Sequence, residues 1–306
     1  MKSVLITGAN GFLGRNASIY FKSLGYYIIG VGLGGWGREN HKDYGIDKWY
    51  GEPLSLSLLK KISARLDIII HCAGSGSVGF SIENPLEDFR MTVDTTLYIL
   101  EYIRVYQKQA YLVYPSSAAV YGSKSDILIC EDEKPEPISP YGFHKLIVEK
   151  LCESYFKIYN LNMTLIRFFS IYGIGLKKQI LWDACKKMIL NAPSVRFSGT
   201  GEETRDFINV TDAIRLMHCA VQSNAPFQII NGAGGIRTTM KSILEMVSHY
   251  LGSKSDIEFD GVIRAGDPRF YNADISRANK LNWKAECALE NGIKAYTSWF
   301  LENKDG

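Results

Sequence analysis

At 306 residues, of which 46% are hydrophobic, the chain has enough apolar content for an extensive core in one large unit or two modest ones. Its net charge is only +3 and its basic residues are spread along the chain, which excludes a nucleic-acid footprint and points to small-molecule partners. The opening MKSVLITG runs out of apolar residues too early for a signal peptide, and no apolar run nears the ~20 residues of a membrane span, so a cytoplasmic location with no membrane partner is expected.

SVLIT (3–7) is a short apolar run ending at Gly8, and GFLGRNASIYFKSLG then reads as a helix that stops at Gly25. YYIIGV (26–31) and LDIIIHCAG (66–74) read as further strands. A long amphipathic stretch from Leu86 to about Gln107 leads into another strand, AYLVYPSS (110–117). Strands alternating with helices predict a parallel sheet covered on both faces, a doubly wound α/β fold. Pro135, Pro137 and Pro140 mark a loop before a helix from Tyr141 to about Tyr159, whose Ile147, Leu151, Tyr155 and Ile158 are expected to form one buried face. MTLIRFFSIYG (163–173) reads as a strand leaving the sheet, and the looser, Gly/Pro-punctuated pattern beyond it predicts a smaller mixed α/β lobe. Residues 1–170, with a returning segment at about 207–232, are thus assigned to a Rossmann-type domain, and 171–206 with 233–306 to a substrate lobe.

The six cysteines are far apart with no C-x-x-C pair and are read as reduced, mostly buried small hydrophobes. The histidines have no metal-ligand spacing, so no metal site is expected.

TGANGFLG sets Gly8, Gly11 and Gly14 directly after the first strand and at the opening of a helix. Glycine lets the backbone turn sharply and come close to a pyrophosphate, and the helix N-terminus offers unpaired N–H groups. A dinucleotide site follows from that context. In such folds the second strand usually closes on an acid that holds the ribose hydroxyls, but IIGVGLGG has Gly32 there. Glu39 or Asp43 could replace the missing acid, and the Gly32 and Gly34 backbone could equally approach the adenosine closely.

SPYGFHK sets Tyr141 and Lys145 four residues apart at a helix start, on one face. A tyrosine titrating at about 10 is a poor proton partner at neutral pH, and bringing it to about 7 takes ~4 kcal/mol of differential interaction. Lys145 is the expected source, together with a bound ribose. At the end of the preceding strand, YPSSAAVYG places Ser116 and Ser117 at the crevice edge, where Ser117 would hold the oxygen on which Tyr141 acts.

These motifs, with HCAGSGSVGFSIENP, GTGEETRDFINVTDA and RAGDPRFYNADISRANKLNWK in order, resemble the extended short-chain dehydrogenase/reductase family, in its nucleotide-sugar epimerase/dehydratase branch, over nearly the whole chain. The resemblance implies Ser117, Tyr141 and Lys145 as the catalytic set. It carries Phe12, Leu13, Arg15, Glu52, Ala73 and Gly74 to the cofactor side and Ser77, Ser116 and Ser170 to the substrate side. Arg205 and Arg264 fall on arginines that grip a substrate diphosphate. It also implies a homodimer that acts on a nucleotide-diphosphate sugar.

The departures from the family pattern shape the expected reaction. Ala118 and Ala119 replace the acid pair of the dehydratases, and alanine cannot shuttle protons. Ser170 and Thr92 stand at two places where the family commonly has asparagine. Gly32 removes a carboxylate that would repel a 2′-phosphate, so NADP(H) is favoured over NAD(H), with Arg15 and Arg38 facing that phosphate. Gly76 stands where related epimerases carry a cofactor-holding lysine, which implies an exchangeable cofactor. The resulting expectation is an NADPH-dependent 4-ketoreductase making a deoxysugar for surface polysaccharide, with Tyr141 as general acid. The alternatives are a C4 epimerase with tightly bound NAD and a noncatalytic relative serving as a binding module. Lys177 and Lys178 read either as phosphate contacts or as solvated charges.

Overall fold

Runs such as SVLIT and IIIH are apolar without alternation because the strands they form are covered on both faces. The computed structural model describes residues 1–36, 40–262 and 268–304. The strands are β1 (Ser3–Thr7), β2 (Tyr27–Val31), β3 (Lys48–Tyr50), β4 (Ile68–His71), β5 (Tyr111–Ser117), β6 (Met163–Phe168), β7 (Ser170–Tyr172), β8 (Ser194–Phe197), β9 (Thr204–Asn209), β10 (Phe227–Gly232), β11 (Arg237–Thr239) and β12 (Asp256–Phe259). The helices are α1 (Phe12–Ser23), α2 (Leu56–Lys60), α3 (Val78–Glu83), α4 (Pro85–Phe89), α5 (Thr95–Tyr106), α6 (Pro140–Tyr159), α7 (Gln179–Met188), α8 (Val210–Ser223), α9 (Met240–Leu251), α10 (Ser276–Asn279) and α11 (Leu289–Asn303).

Among the described residues, seven strands form one parallel sheet in the order β10-β6-β5-β4-β1-β2-β3, so the fold is Rossmann-type. Its hydrophobic layers follow the strand alternation. Val4 and Ile6 of β1 pack with Phe21 of α1 and Leu216 of α8, whereas Leu5 faces Leu58, Leu100 and Val148 of α2, α5 and α6. After β6 the chain breaks at Phe169 and leaves the main sheet: β7 pairs with β9, and β9 with β11, in a separate three-stranded sheet. That sheet packs with α7, α9 and α11 around Leu181, Leu244 and Phe300. The chain returns at β10 to pair with β6.

Three expectations need correction. The buried face of α6 is Lys145, Val148, Glu149 and Cys152, while Ile147 and Ile158 are exposed. Hydrophobic periodicity misled there because two charged residues face inward. The stretch from Leu86 to Gln107 is broken between α4 and α5 by a π-helical turn, Arg90–Asp94, across which the Thr95 and Thr96 hydroxyls donate to the Met91 and Thr92 carbonyls at 2.6 and 2.7 Å. Of the six cysteines, all free, only Cys152 and Cys185 are fully buried and the other four are half-buried.

Candidate active site

β2 and β4 flank β1 and the strand order reverses there, which splays the loops that follow β1 and β4. Between those loops, the end of β5, the start of α6 and the second lobe lies a cleft of about 1140 Å³. That exceeds the ~300–1,000 Å³ of a site for one small molecule and leaves room for two.

Gly8 has φ of +61°, and a Cβ there would lie 2.8 Å from the Cys72 and Ala73 backbone. A Cβ on Gly14 would lie 2.2 Å from the Gly8 carbonyl oxygen. α1 opens after Gly11 with no side-chain cap and no acid in its first turn. Backbone amides and the positive helix end therefore face the cleft beside Phe12 and Leu13, and these residues fit a dinucleotide pyrophosphate. Ala73 and Gly74 line the same wall.

The space beside Gly32, where the acid is missing, is already filled. A Cβ there would stand 2.3 Å from Asn10 Oδ1 and 2.8 Å from the Trp49 ring, and Asn10 Nδ2 donates to the Leu33 carbonyl at 2.5 Å. The asparagine of the glycine loop thus fills the place of a β2 side chain. Arg15, expected to face a 2′-phosphate, is engaged by the fold. Its Nε donates to the Asn10 carbonyl at 2.9 Å, its guanidinium donates to the Tyr44 hydroxyl at 3.1 Å, and it stacks on the Trp36 and Tyr44 rings. Asp43 accepts from the Asn40 amide in a capping box. Glu52 does not line the cleft; it is exposed and pairs with Lys61 at 3.0 Å. Arg38, Glu39 and Arg264 lie outside the described residues.

Ser139 caps α6 by accepting from the Gly142 amide at 3.2 Å, and Pro140 occupies the first turn, so Tyr141 and Lys145 project from a fixed helix start. Ser117, at the end of β5, and both α6 residues line the cleft. Lys145 Nζ donates to the Tyr114 hydroxyl at 3.0 Å and to the Pro115 carbonyl at 2.9 Å, 5.7 Å from the centre of the Tyr141 ring. Burial lowers its pKa to about 8, against the opposing pull of Cys72, Asp88 and Glu149. Tyr141 moves the opposite way from the expectation. Burial holds the phenol above the ordinary tyrosine value, the Ser117 hydroxyl works against that rise, and Asp88 adds to it. The chain's own charges therefore do not bring the phenol towards neutrality.

The expected substrate-side residues divide. Ser116 is buried and donates to Glu149 Oε1 at 2.6 Å, which commits its hydroxyl to the support beneath the site. Ser77 faces the cleft while capping α3, accepting from the Phe80 amide at 3.2 Å. Ser170 opens β7 in the cleft wall. Arg205, half-buried on β9, donates to the Thr204 carbonyl at 2.9 Å and lies 5.7 Å from the Tyr271 ring, in the wall formed by the second lobe.

Sequence reasoning missed several supports. His71 ends β4 fully buried between the Thr7 and Thr96 hydroxyls at 2.7 and 3.0 Å, and burial with Lys145 lowers its pKa to about 3, so it is neutral. Its signal was a polar residue closing an apolar run. Thr92, already singled out in the sequence as standing at a family asparagine, lies in the π turn, where its Oγ1 accepts from the Ser75 amide at 3.4 Å. Glu149 and Arg167 form a buried bidentate pair, closest at 2.7 Å, that ties α6 to β6. Gly76 leaves space into which Lys178 reaches: a Cβ there would lie 3.4 Å from Lys178 Nζ.

Residues 4–232 match the NAD dependent epimerase/dehydratase family, and the chain belongs to that family. It is similar to the UDP-glucuronate 4-epimerase of Thermodesulfobacterium geofontis, 28% identical over 98% of this chain and 96% of that protein. The structure of UDP-glucuronic acid 4-epimerase from Bacillus cereus in complex with UDP-glucuronic acid and NAD is 25% identical and superposes with a TM-score of 0.88, covering 98% of this chain and 99% of that one. UDP-N-acetylglucosamine 4-epimerase from Methanobrevibacter ruminantium M1, in complex with UDP-N-acetylmuramic acid, is 25% identical with a TM-score of 0.88 over 99% of both chains.

Proposed function

We propose that the chain is an NAD-dependent 4-epimerase of nucleotide-linked hexoses. The observation that carries this reading is the meeting of Ser117, Tyr141 and Lys145 in a cleft with room for two ligands, in a chain similar over its full length to proteins described as 4-epimerases. The expectation of an NADP-dependent reductase rested on Gly32 and Gly76. The Asn10 amide accounts for the first and the Lys178 side chain occupies the space beside the second, so neither glycine argues for a 2′-phosphate or a loosely held cofactor.

In this reading the loop of Gly8, Gly11 and Gly14 holds the pyrophosphate of NAD. When bound there, NAD would supply reversible hydride exchange with C4 and, in its oxidised form, a positive charge near the phenol. Tyr141 takes the proton from the C4 hydroxyl and returns it to O4 once the 4-keto sugar has turned its other face to the hydride donor, so that C4 is inverted. Ser117 holds O4, and Lys145 keeps a buried cation behind the phenol. Arg205 takes the substrate diphosphate. Ala118 is buried and Ala119 lines the cleft, so no side chain at either position can act in dehydration.

The test is to incubate purified protein with NAD and either UDP-glucose or UDP-glucuronate and to resolve the C4 epimers by proton NMR. Formation of the galacto epimer from either sugar is the expected result. If neither forms, while a nucleotide-linked 4-keto-6-deoxy sugar consumes NADPH one for one, the reductase reading replaces this one.

A further inference from the structure

A carboxylate taken fully out of water needs partners to replace the water it loses. Asp88, on the short helix α4, has a side chain with 0% exposure, and its Oδ2 accepts from His144 Nδ1 of α6 at 2.5 Å. Its Oδ1 is buried with no hydrogen-bond partner among the described residues. An ionised carboxylate can only accept, so the contact fixes a proton on His144 Nδ1. The imidazole is only 12% exposed, and Phe89 meets it edge-on with ring centres 5.3 Å apart, which holds its orientation.

His144 stands three residues after Tyr141 and one before Lys145, so all three leave the same side of the first turns of α6. α3 holds that helix start as well: Ser81 Oγ accepts from the Tyr141 amide at 3.0 Å and donates to the Val78 carbonyl at 2.7 Å. Packing α4 on α6 does not itself call for a charge, because apolar side chains of similar volume replace buried ionic pairs at little or no cost in stability. The charge does reach the reacting pair. After burial, which dominates both groups, the Asp88 carboxylate adds to the rise of the Tyr141 phenol and, with Cys72 and Glu149, opposes the fall of the Lys145 ammonium. Of the other groups nearby, Glu149 is already paired with Arg167, and burial pushes the Cys72 thiol up to about 12. Glu83 of α3, Glu87 of α4 and Arg90 of the π turn are exposed.

We infer that Asp88 and His144 are positioning residues for the proposed reaction: a buried anion, clamped by His144 to the helix start that carries Tyr141 and Lys145, sets the charge balance in which those two groups hold and release protons. The inference rests on the reading of the cleft as a 4-epimerase site. Neither residue lines the cleft, so both act through the pair on α6. Removing the carboxylate makes both protons easier to lose, and the active range moves to lower pH.

Asp88→Asn removes the charge, while its amide oxygen can still accept from His144. With NAD present, kcat/KM for C4 epimerisation of UDP-glucose and UDP-glucuronate is measured against pH in the wild type and this variant. The ratio of the value at about pH 6 to that at about pH 8 is expected to rise roughly threefold or more in Asp88→Asn. An unchanged ratio, at whatever rate, would overturn the role of the charge. His144→Phe removes the clamp and leaves the carboxylate, so kcat should fall about fivefold or more at both pH values, with part of it recovered in Asp88→Asn/His144→Phe. Unchanged kcat in His144→Phe would overturn the clamp. A second readout needs neither sugar nor cofactor. Protein carrying 13C at lysine Cε is titrated by NMR, the Lys145 signal being the one missing from Lys145→Met. Its midpoint, about 8 in the wild type, is expected to fall in Asp88→Asn, and a midpoint that does not move overturns the inference. If the wild type acts on neither sugar, it is the epimerase reading that fails, and this titration still decides the role of Asp88.

Discussion

In the proposed reaction the phenol of Tyr141 has to gain and lose a proton within one catalytic cycle, yet burial drives it away from neutrality. Tyr141→Phe is expected to keep the fold and NAD affinity while lowering turnover roughly 100-fold or more, the usual scale for losing a general acid–base. Near-normal turnover in that variant would take Tyr141 out of the mechanism. A second expectation concerns Gly32. Because Asn10 and Trp49 close its Cβ direction, Gly32→Asp is expected to act as overpacking, at about 1–3 kcal/mol, rather than as a cofactor switch. Thermal melts and NAD titrations should show both stability and affinity falling in Gly32→Asp and recovering when Asn10→Gly is added. A single Gly32→Asp variant that melts like the wild type and merely changes its NAD preference would refute the steric explanation. Gly8, Gly11, Gly14, Tyr141 and Lys145 were readable in the sequence because their spacing is itself the signal. The Asn10–Leu33 and Gly76–Lys178 approaches were not, because each joins positions that only the folded chain brings together.

α6 carries Tyr141 and Lys145, and what fixes it is polar. Arg167 of β6 holds Glu149 through three hydrogen bonds, donates to the Glu131 carbonyl at 3.1 Å and stacks on Tyr121 at 4.7 Å. Arg167→Met would strand a buried carboxylate and is expected to cost about 3–5 kcal/mol in urea denaturation, most of it recovered in Arg167→Met/Glu149→Leu. Equal loss in the single and double variants would mean that packing, not the unpaired charge, dominates. The same pair explains why the buried face of α6 escaped hydrophobic periodicity, which cannot anticipate inward-facing charges. The β3 edge strand also escaped: Lys48–Tyr50 is too short to display a period. On β9, Asp206 is held by the Gly235 amide at 3.0 Å, but burial still raises its pKa to about 6 from an ordinary 3.8. The folded state therefore binds this proton more tightly than the unfolded chain does. The associated stability is fully present below about pH 3.8 and is lost as pH rises through about 6. Stability curves of Asp206→Asn should be flatter than wild type over that window, and an unchanged slope would clear Asp206 as its source.

The seven-stranded sheet and the smaller three-stranded sheet both contribute to the walls of one cleft. The parallel sheet supplies the glycine loop, Ser117 and the α6 pair, while the chain beyond Phe169 supplies Lys178 and Arg205. Alternating strand and helix signals disclosed the sheet, since each strand reads as a short apolar run. The second lobe was visible only as a loosening of that pattern, because its strands are short and half-buried and its register depends on partners distant in sequence. Ala118 and Ala119 spoke against dehydration at the sequence level, whereas the proposed choice of epimerase over reductase leans on the similarity to 4-epimerases and on contacts around Gly32 and Gly76 that only the folded chain shows. What distinguishes these reactions is whether the hydrogen taken from C4 comes back to the same carbon. UDP-glucuronate and UDP-glucose deuterated at C4, incubated with the protein and a catalytic amount of NAD, measure this directly. The predicted result is a mixture of C4 epimers of at least one sugar, with deuterium retained at C4 in both and no net build-up of reduced cofactor. Absence of any epimer, together with stoichiometric consumption of NADPH by a nucleotide-linked 4-keto-6-deoxy sugar, would contradict it.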